Sequence, residues 1–195
     1  MQFTRLEIED LVVIEPRRFG DERGYFSEVF RDDWFRSNVA DVGFVQENHS
    51  LSRPALTIRG LHFQAPAHPQ GKLVRVVRGR ILDVAVDIRR GSPSFGRHCA
   101  IELSADNGLQ LWVPVGFAHG FCTLEPDCEV VYMVTDYYSK DDDLGLAFDD
   151  PALAIEWPCD PAAATLSEKD RRQPRLAELP DYFPQHPSVA DAGRP

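Results

Sequence analysis

No run in this chain approaches the roughly 18 apolar residues that a membrane-spanning helix needs. The first 18 residues carry acidic side chains around one short apolar run at 11–14, so they do not read as a signal peptide. Cysteine is scarce: Cys99, Cys122, Cys128 and Cys159 show no CxxC spacing, which argues against a disulfide framework or a zinc site and for free thiols in a cytoplasmic protein. Positive charge is short as well. Twenty-one Lys and Arg against 31 Asp and Glu leave a formal net charge of −10, the wrong sign for a general nucleic-acid or anionic-membrane surface. An anionic ligand would need basic residues gathered locally. There is no internal repeat, and 195 residues suffice for one well-buried core but not for two typical domains and a linker. A single domain is expected over 1–184, with a loose Pro- and Ala-rich tail at 185–195.

What is present is a succession of short β-branched and aromatic runs broken by turn residues. Strands are expected at 11–14, 25–30, 44–50, 56–64, 72–77, 81–88, 98–103, 109–114 and 129–136, with a loop at 19–24. Arg78-Gly79-Arg80 reads as a tight hairpin, and Ala105-Asp106-Asn107-Gly108 as another, since Asn-Gly tolerates the positive φ angles of such turns. One short helix is expected at 32–39, begun by an Asp cap, and a second at 166–179, interrupted by Pro174. Many short strands with turns between them point to a β-sandwich or barrel.

The chemistry gathers around Arg59-Gly60-Leu61-His62-Phe63-Gln64, which sets a fixed cation and a titratable imidazole in an apolar strand. In a strict strand Arg59 and His62 face opposite ways; a bulge at Gly60 would bring both inward. Lys72 alternates in phase with Val74 and Val76, so it is either an interior cation facing an anionic ligand or an edge lysine blunting the sheet. Tyr132 is in phase with Val130 and Val134 and points inward, as a core tyrosine or as a proton donor. His119 sits in a Gly-rich stretch that reads as a turn. Asp170 has the spacing of an acidic third residue after a Ser167 helix cap, or it orients a catalytic histidine. Arg23 and Glu28 form a surface ion pair around Gly24, or Arg23 offers its planar fork to a phosphate.

Small β-barrels with scattered histidines often hold a metal on a His-x-His pair, a nearby Glu and a distant His. Here Gln64 stands two residues after His62, Lys72 stands where the acidic ligand is sought, and His68 is a stray on a Pro-rich loop. The barrel reads as metal-free.

Taken together, Phe19-Gly-Asp-Glu-Arg-Gly24, Gln46-Glu-Asn-His-Ser50, Arg59 to Gln64, Gln70-Gly-Lys-Leu-Val74, Asp83-Val-Ala-Val-Asp-Ile-Arg89, Gly91-Ser-Pro-Ser-Phe-Gly96, Pro114 to Phe121, Asp150-Pro151 with Ile155-Glu-Trp-Pro158, and Leu166 to Asp170 resemble the dTDP-4-dehydrorhamnose 3,5-epimerase family. They stand in family order over roughly residues 10 to 170 and are specific as a set. The resemblance implies an all-β, cupin-type jelly-roll barrel with a few short helices, mainly C-terminal. It implies an isomerase that uses no cofactor and inverts C3 and C5 of dTDP-4-dehydro-6-deoxy-D-glucose; the alternative is a single-position epimerase of a deoxysugar nucleotide. His62 would be the base, Asp170 its partner, Lys72 the enolate stabiliser and Tyr132 the acid on the opposite sugar face. Substrate contacts would come from Arg23, Glu28, Gln46, Glu47, Asn48, Arg59, His119, Tyr138, Asp143 and Lys169, with Tyr138 shaping the pocket. Asp143 departs from the pattern, which expects Glu there. The family forms homodimers by exchanging N-terminal strands, so Arg23 and Glu28 would reach a neighbouring subunit's site.

Overall fold

Alternating apolar residues drive most of the chain into antiparallel strands, and a computed structural model describes residues 1–184 of it. The tail expected from residue 185 lies outside the described residues. One sheet has the order β1 (Gln2–Arg5), β2 (Val12–Glu15), β10 (Gln110–Val113), β7 (Lys72–Arg78), β12 (Cys128–Val134), β5 (Gln46–Ser52). The other has the order β13 (Asp143–Gly145), β6 (Ile58–Gln64), β11 (Phe117–Thr123), β8 (Arg80–Asp87), β9 (His98–Ser104). A separate hairpin pairs β3 (Arg18–Asp21) with β4 (Gly24–Ser27). Inward side chains of both sheets, among them Val74, Val76, Leu111 and Val130 from one and Ile81, Ala85, Phe117 and Phe121 from the other, form the central core. The architecture is the expected all-β jelly roll of cupin type.

Part of each outer face is covered. On the first sheet, helix α1 (Asp32–Asn38) lays Phe35 against Val12, Ile14, Leu73 and Trp112, with the Phe35 and Trp112 rings edge-on at 5.3 Å. The helix stands where the sequence places it, but its cap differs. Arg31 is the N-cap and makes no side-chain cap bond, while Asp32 and Asp33 lie in the first turn, where a negative charge favours the positive end of the helix dipole. On the second sheet, Leu176, Leu179 and Phe183 of the C-terminal segment pack on Leu61, Phe63, Val84 and Val86. This explains why β8 reads as an almost unbroken apolar run: it is buried on both faces.

Three expectations are overturned. Neither Arg78-Gly79-Arg80 nor Ala105 to Gly108 closes a hairpin, because β7 and β10 lie in the first sheet whereas β8 and β9 pair with each other in the second. Both turns are corners between sheets, and Gly79 is required there because its φ is +77° and a Cβ would stand 2.6 Å from the Cys128 sulfur. No α-helix spans 166–179. The segment runs extended with short 3-10 turns at Asp170–Arg172 and Leu176–Glu178, because Leu166 packs into a different cluster from Leu176 and Leu179 and Pro174 lacks the helical N–H. Finally, the stretch read as a turn around His119 is the central strand β11.

Candidate active site

β6 and β11 fall out of step at the site. His62 stands opposite His119 and Arg59 opposite Phe121, so β6 places one residue more than its partner between them. That residue makes a bulge, and Gly60 carries it with φ +134°. A Cβ at Gly60 would stand 2.6 Å from the Gly120 Cα, so two glycines meet back to back. The bulge answers the question left open by the sequence: Arg59 and His62 line the same cavity, of about 350 Å³, at one end of the barrel.

His62 Nε2 lies 2.5 Å from Asp170 Oδ1. The cap reading of Asp170 holds for its backbone alone: its N–H donates to Ser167 Oγ (3.1 Å), which leaves the carboxylate to His62. Burial pushes the Asp170 carboxyl up, but the His62 hydrogen bond and charge, Ser167 and Lys169 outweigh it and hold the group below the usual carboxylate range. A second pair stands beside the first. His119 Nε2 is 2.9 Å from Asp83 Oδ1, both residues are buried, and Asp83 Oδ2 has no partner among the described residues.

The facing sheet supplies the other two groups. Lys72, at the start of β7, is buried and donates from Nζ to the His62 carbonyl (3.2 Å). Burial lowers its pKa to about 8, against the pull of Asp143 and Asp83. Tyr132 on the neighbouring strand β12 lies between the buried Val130 and Val134, and burial raises its phenol above the usual value, so it is neutral near pH 7. An imidazole with its carboxylate thus projects from one sheet toward a lysine and a phenol from the other.

Gln46 and Asn48 enter from the inward side of β5, joined by a Gln46 Nε2 to Asn48 Oδ1 bond of 2.7 Å. Arg59 is held by Ser52 Oγ (2.9 Å) and the Leu51 carbonyl (3.0 Å). At the rim Asp143 accepts from the Tyr138 hydroxyl (3.2 Å) and pairs with Lys169. Arg59, Lys72 and Lys169 therefore gather positive charge in one cavity of an acidic chain.

Three expected site residues stand elsewhere. Glu47 faces the outside of β5, because alternation sends it away from Gln46 and Asn48. Arg23 and Glu28 lie outside the cavity lining, and Arg23 pairs with Asp21 at the hairpin tip (2.5 Å), not with Glu28. Conversely, Ser50, Gln64, Gln70, Phe121 and Ser167 line the cavity without having been singled out for it. Nor was Asp83 assigned a role. Its signal was legible: a carboxylate in phase with Ile81 and Ala85 inside an apolar strand needs a partner. Among the described residues no three His, Cys, Asp or Glu side chains group as metal ligands, and the four cysteines are free.

Comparison with known proteins places the chain in a family. The dTDP-4-dehydrorhamnose 3,5-epimerase family profile matches residues 5–178. A dTDP-4-dehydrorhamnose 3,5-epimerase of Sinorhizobium fredii is 57% identical over 183 residues, covering 94% of this chain and 93% of its own. The crystal structure of a dTDP-6-deoxy-D-glucose-3,5-epimerase from Legionella pneumophila in complex with dTDP-4-keto-L-rhamnose superposes with a TM-score of 0.91 at 39% identity, covering 96% of this chain and 99% of that one. A 3'-monoepimerase from Streptomyces bikiniensis, in complex with dTDP-quinovose, gives 0.80 at 33% identity, covering 89% and 87%. With agreement that runs along nearly the whole chain in both sequence and shape, this protein belongs to the dTDP-4-dehydrorhamnose 3,5-epimerase family of isomerases.

Proposed function

We propose that the protein inverts C3 and C5 of dTDP-4-dehydro-6-deoxy-D-glucose to give dTDP-4-dehydro-L-rhamnose, and that His62, Asp170, Lys72 and Tyr132 carry the chemistry. The observation behind this reading is the His62–Asp170 pair at 2.5 Å sharing one cavity with a buried Lys72 and a neutral Tyr132 from the opposing sheet. C3 and C5 flank the C4 carbonyl, so their protons are acidified by enolate formation. His62 takes the proton, and the C–H electron pair moves into a carbon–carbon double bond as the carbonyl π pair shifts to oxygen. Lys72 stabilises the resulting oxyanion. Asp170 orients the imidazole and offsets the charge it acquires. Tyr132 protonates the carbon on the other face, the enolate collapses to the ketone, and solvent resets both groups before the second centre reacts. Arg59, Gln46, Asn48, His119, Tyr138, Asp143 and Lys169 contact the nucleotide sugar.

The working unit in this reading is a homodimer with exchanged N-terminal strands, in which Arg23 and Glu28 reach into the neighbouring subunit's site. It is supported by the β3–β4 hairpin, which pairs with neither sheet and leaves Phe19, Tyr25 and Phe26 at 50%, 62% and 71% exposure. Apolar patches of that kind mark interaction surfaces. A cytoplasmic location accords with the free cysteines.

Incubation with the 4-keto-6-deoxyglucose nucleotide in heavy water, followed by NMR, tests the activity. Deuterium and inversion at both C3 and C5 are expected. Likeness to a 3'-monoepimerase keeps a second reading, epimerisation at one carbon, and label at a single position would select it.

A further inference from the structure

Between β12 and β13 the chain is irregular, so the backbone groups of residues 136–139 have no strand partner. Three glutamines from the cavity wall bond them instead. Gln70 Nε2 donates to the Asp136 carbonyl (2.8 Å) and Gln64 Nε2 to the Tyr137 carbonyl (3.1 Å). The Tyr138 N–H donates to Gln46 Oε1 (3.1 Å), and the Ser139 N–H to Gln64 Oε1 (2.7 Å). The other amide hydrogen of Gln64 goes to the His68 carbonyl at 2.6 Å.

Gln64 is the centre of this cradle. It lies on β6 two residues beyond His62 and is only 4% exposed. A carboxamide has two N–H donors and a carbonyl acceptor. Both donors of Gln64 and its oxygen are engaged with backbone, so no donor remains for a ligand although the residue lines the cavity. Its bonds bracket Tyr138 on both sides. That residue behaves oppositely: it lines the cavity yet is 56% exposed, and its hydroxyl donates to Asp143 Oδ2.

We infer that Gln64 is a positioning residue for substrate affinity: by fixing the 136–139 backbone it sets the Tyr138 ring and the Tyr138–Asp143 hydrogen bond against the nucleotide sugar. The inference rests on the reading that this cavity binds a dTDP-sugar. Gln64 acts through Tyr138, so its loss is felt in binding and not in proton transfer. Glutamate cannot replace it, because it would turn a negative oxygen toward the carbonyls of His68 and Tyr137, whereas methionine keeps the volume and makes none of the bonds.

The test is a double-mutant cycle of Gln64→Met and Tyr138→Ala, read as KM and kcat for the 4-keto sugar nucleotide and as dTDP affinity by calorimetry. Gln64→Met should raise KM and weaken dTDP binding by about tenfold, the scale of one or two lost hydrogen bonds, with kcat within roughly threefold of the parent. In the Tyr138→Ala background the same change should add less than about twofold, because the side chain it positions is gone. An unchanged KM, a fall in kcat at unchanged KM, or the full tenfold persisting without the Tyr138 ring would each overturn the inference. Should Gln64→Met fail to fold by circular dichroism, Gln70→Ala takes its place, since it removes only the Asp136 bond of a half-buried residue. A smaller KM rise of about threefold, abolished by Tyr138→Ala, is then expected, and its absence is equally decisive. A wild-type protein that neither binds dTDP nor turns over the sugar overturns the activity itself, whereas an active wild type with unaltered Gln64 variants overturns the positioning role alone.

Discussion

Burial makes Lys72 both costly and useful, and the two consequences run in opposite directions with pH. Its folded pKa is lowered to about 8 from 10.5. Below about pH 8 the amine is protonated in folded and unfolded chains alike, and the folded state bears the full cost of a buried cation. Between about 8 and 10.5 the unfolded chain binds more protons, so this residue's contribution to stability rises with pH. The shift corresponds to at most ~3 kcal/mol, so Lys72→Met should melt higher than wild type at pH 7. Turnover behaves the other way: the cation is lost as pH rises through about 8, so kcat should fall there, and Lys72→Met should be slow at every pH without that limb. A variant no more stable than wild type would mean that the ammonium is better solvated than its surroundings suggest. Tyr132→Phe tests the acid, since it keeps the ring packed against the core and removes only the hydroxyl. On the proposed assignment the variant should exchange solvent deuterium into the sugar faster than it forms inverted product, because His62 would still take protons and return them on its own face. His62→Asn should lose roughly 10²–10⁴-fold in both exchange and inversion. Wild-type inversion by Tyr132→Phe would place the acid elsewhere.

At the scale of elements, one glycine decides whether the site exists. Gly60 combines a positive φ with a backbone neighbour, Gly120, that leaves no room for a Cβ. Gly60→Ala should therefore destabilise the fold by about 2 kcal/mol or more in urea titrations. Activity should drop further than stability explains, because straightening β6 would turn Arg59 and His62 to opposite faces. A stable, active Gly60→Ala protein would show that the bulge survives without glycine. Alternation located the inward Tyr132 and most strands and put Lys72 in phase with the interior without deciding between a buried and an edge lysine, since burial on a pleated surface has a period of two. It could not choose between a regular and a bulged β6, a choice made by the partner strand 60 residues away. The corner turns at Gly79 and Gly108 misled for a related reason: turn chemistry reports the local bend, while the sheet each flanking strand joins is fixed by distant pairing. The segment at 166–179 lost its helix because its apolar residues serve separate clusters, and that same extended path carries Asp170 to His62.

At the scale of the whole molecule, the question is whether one chain holds a complete site. In the isolated chain Arg23 is almost fully exposed at a hairpin tip, where it pairs with Asp21, and three aromatic side chains of the same hairpin face solvent. If the hairpin crosses to a neighbour, each cavity takes His62 from one subunit and Arg23 from the other. A two-fold dimer makes both sites alike. Arg23→Ala and His62→Asn would then each impair both sites of their own homodimers, the first at low substrate concentration and the second at any. A mixed dimer of the two variants differs, because one of its sites joins the intact His62 of one chain to the intact Arg23 of the other, while both defects fall in the second site. Unfolding the two proteins together in equal amounts and refolding them should make about half of the dimers mixed, so roughly a quarter of all sites should be whole. Activity at low substrate concentration should rise above that of either variant toward that fraction of wild type. Sedimentation should show a dimer throughout. A monomer with full activity, or a mixture no more active than the average of its parts, would confine the site to one chain and leave the exposed hairpin to some other role.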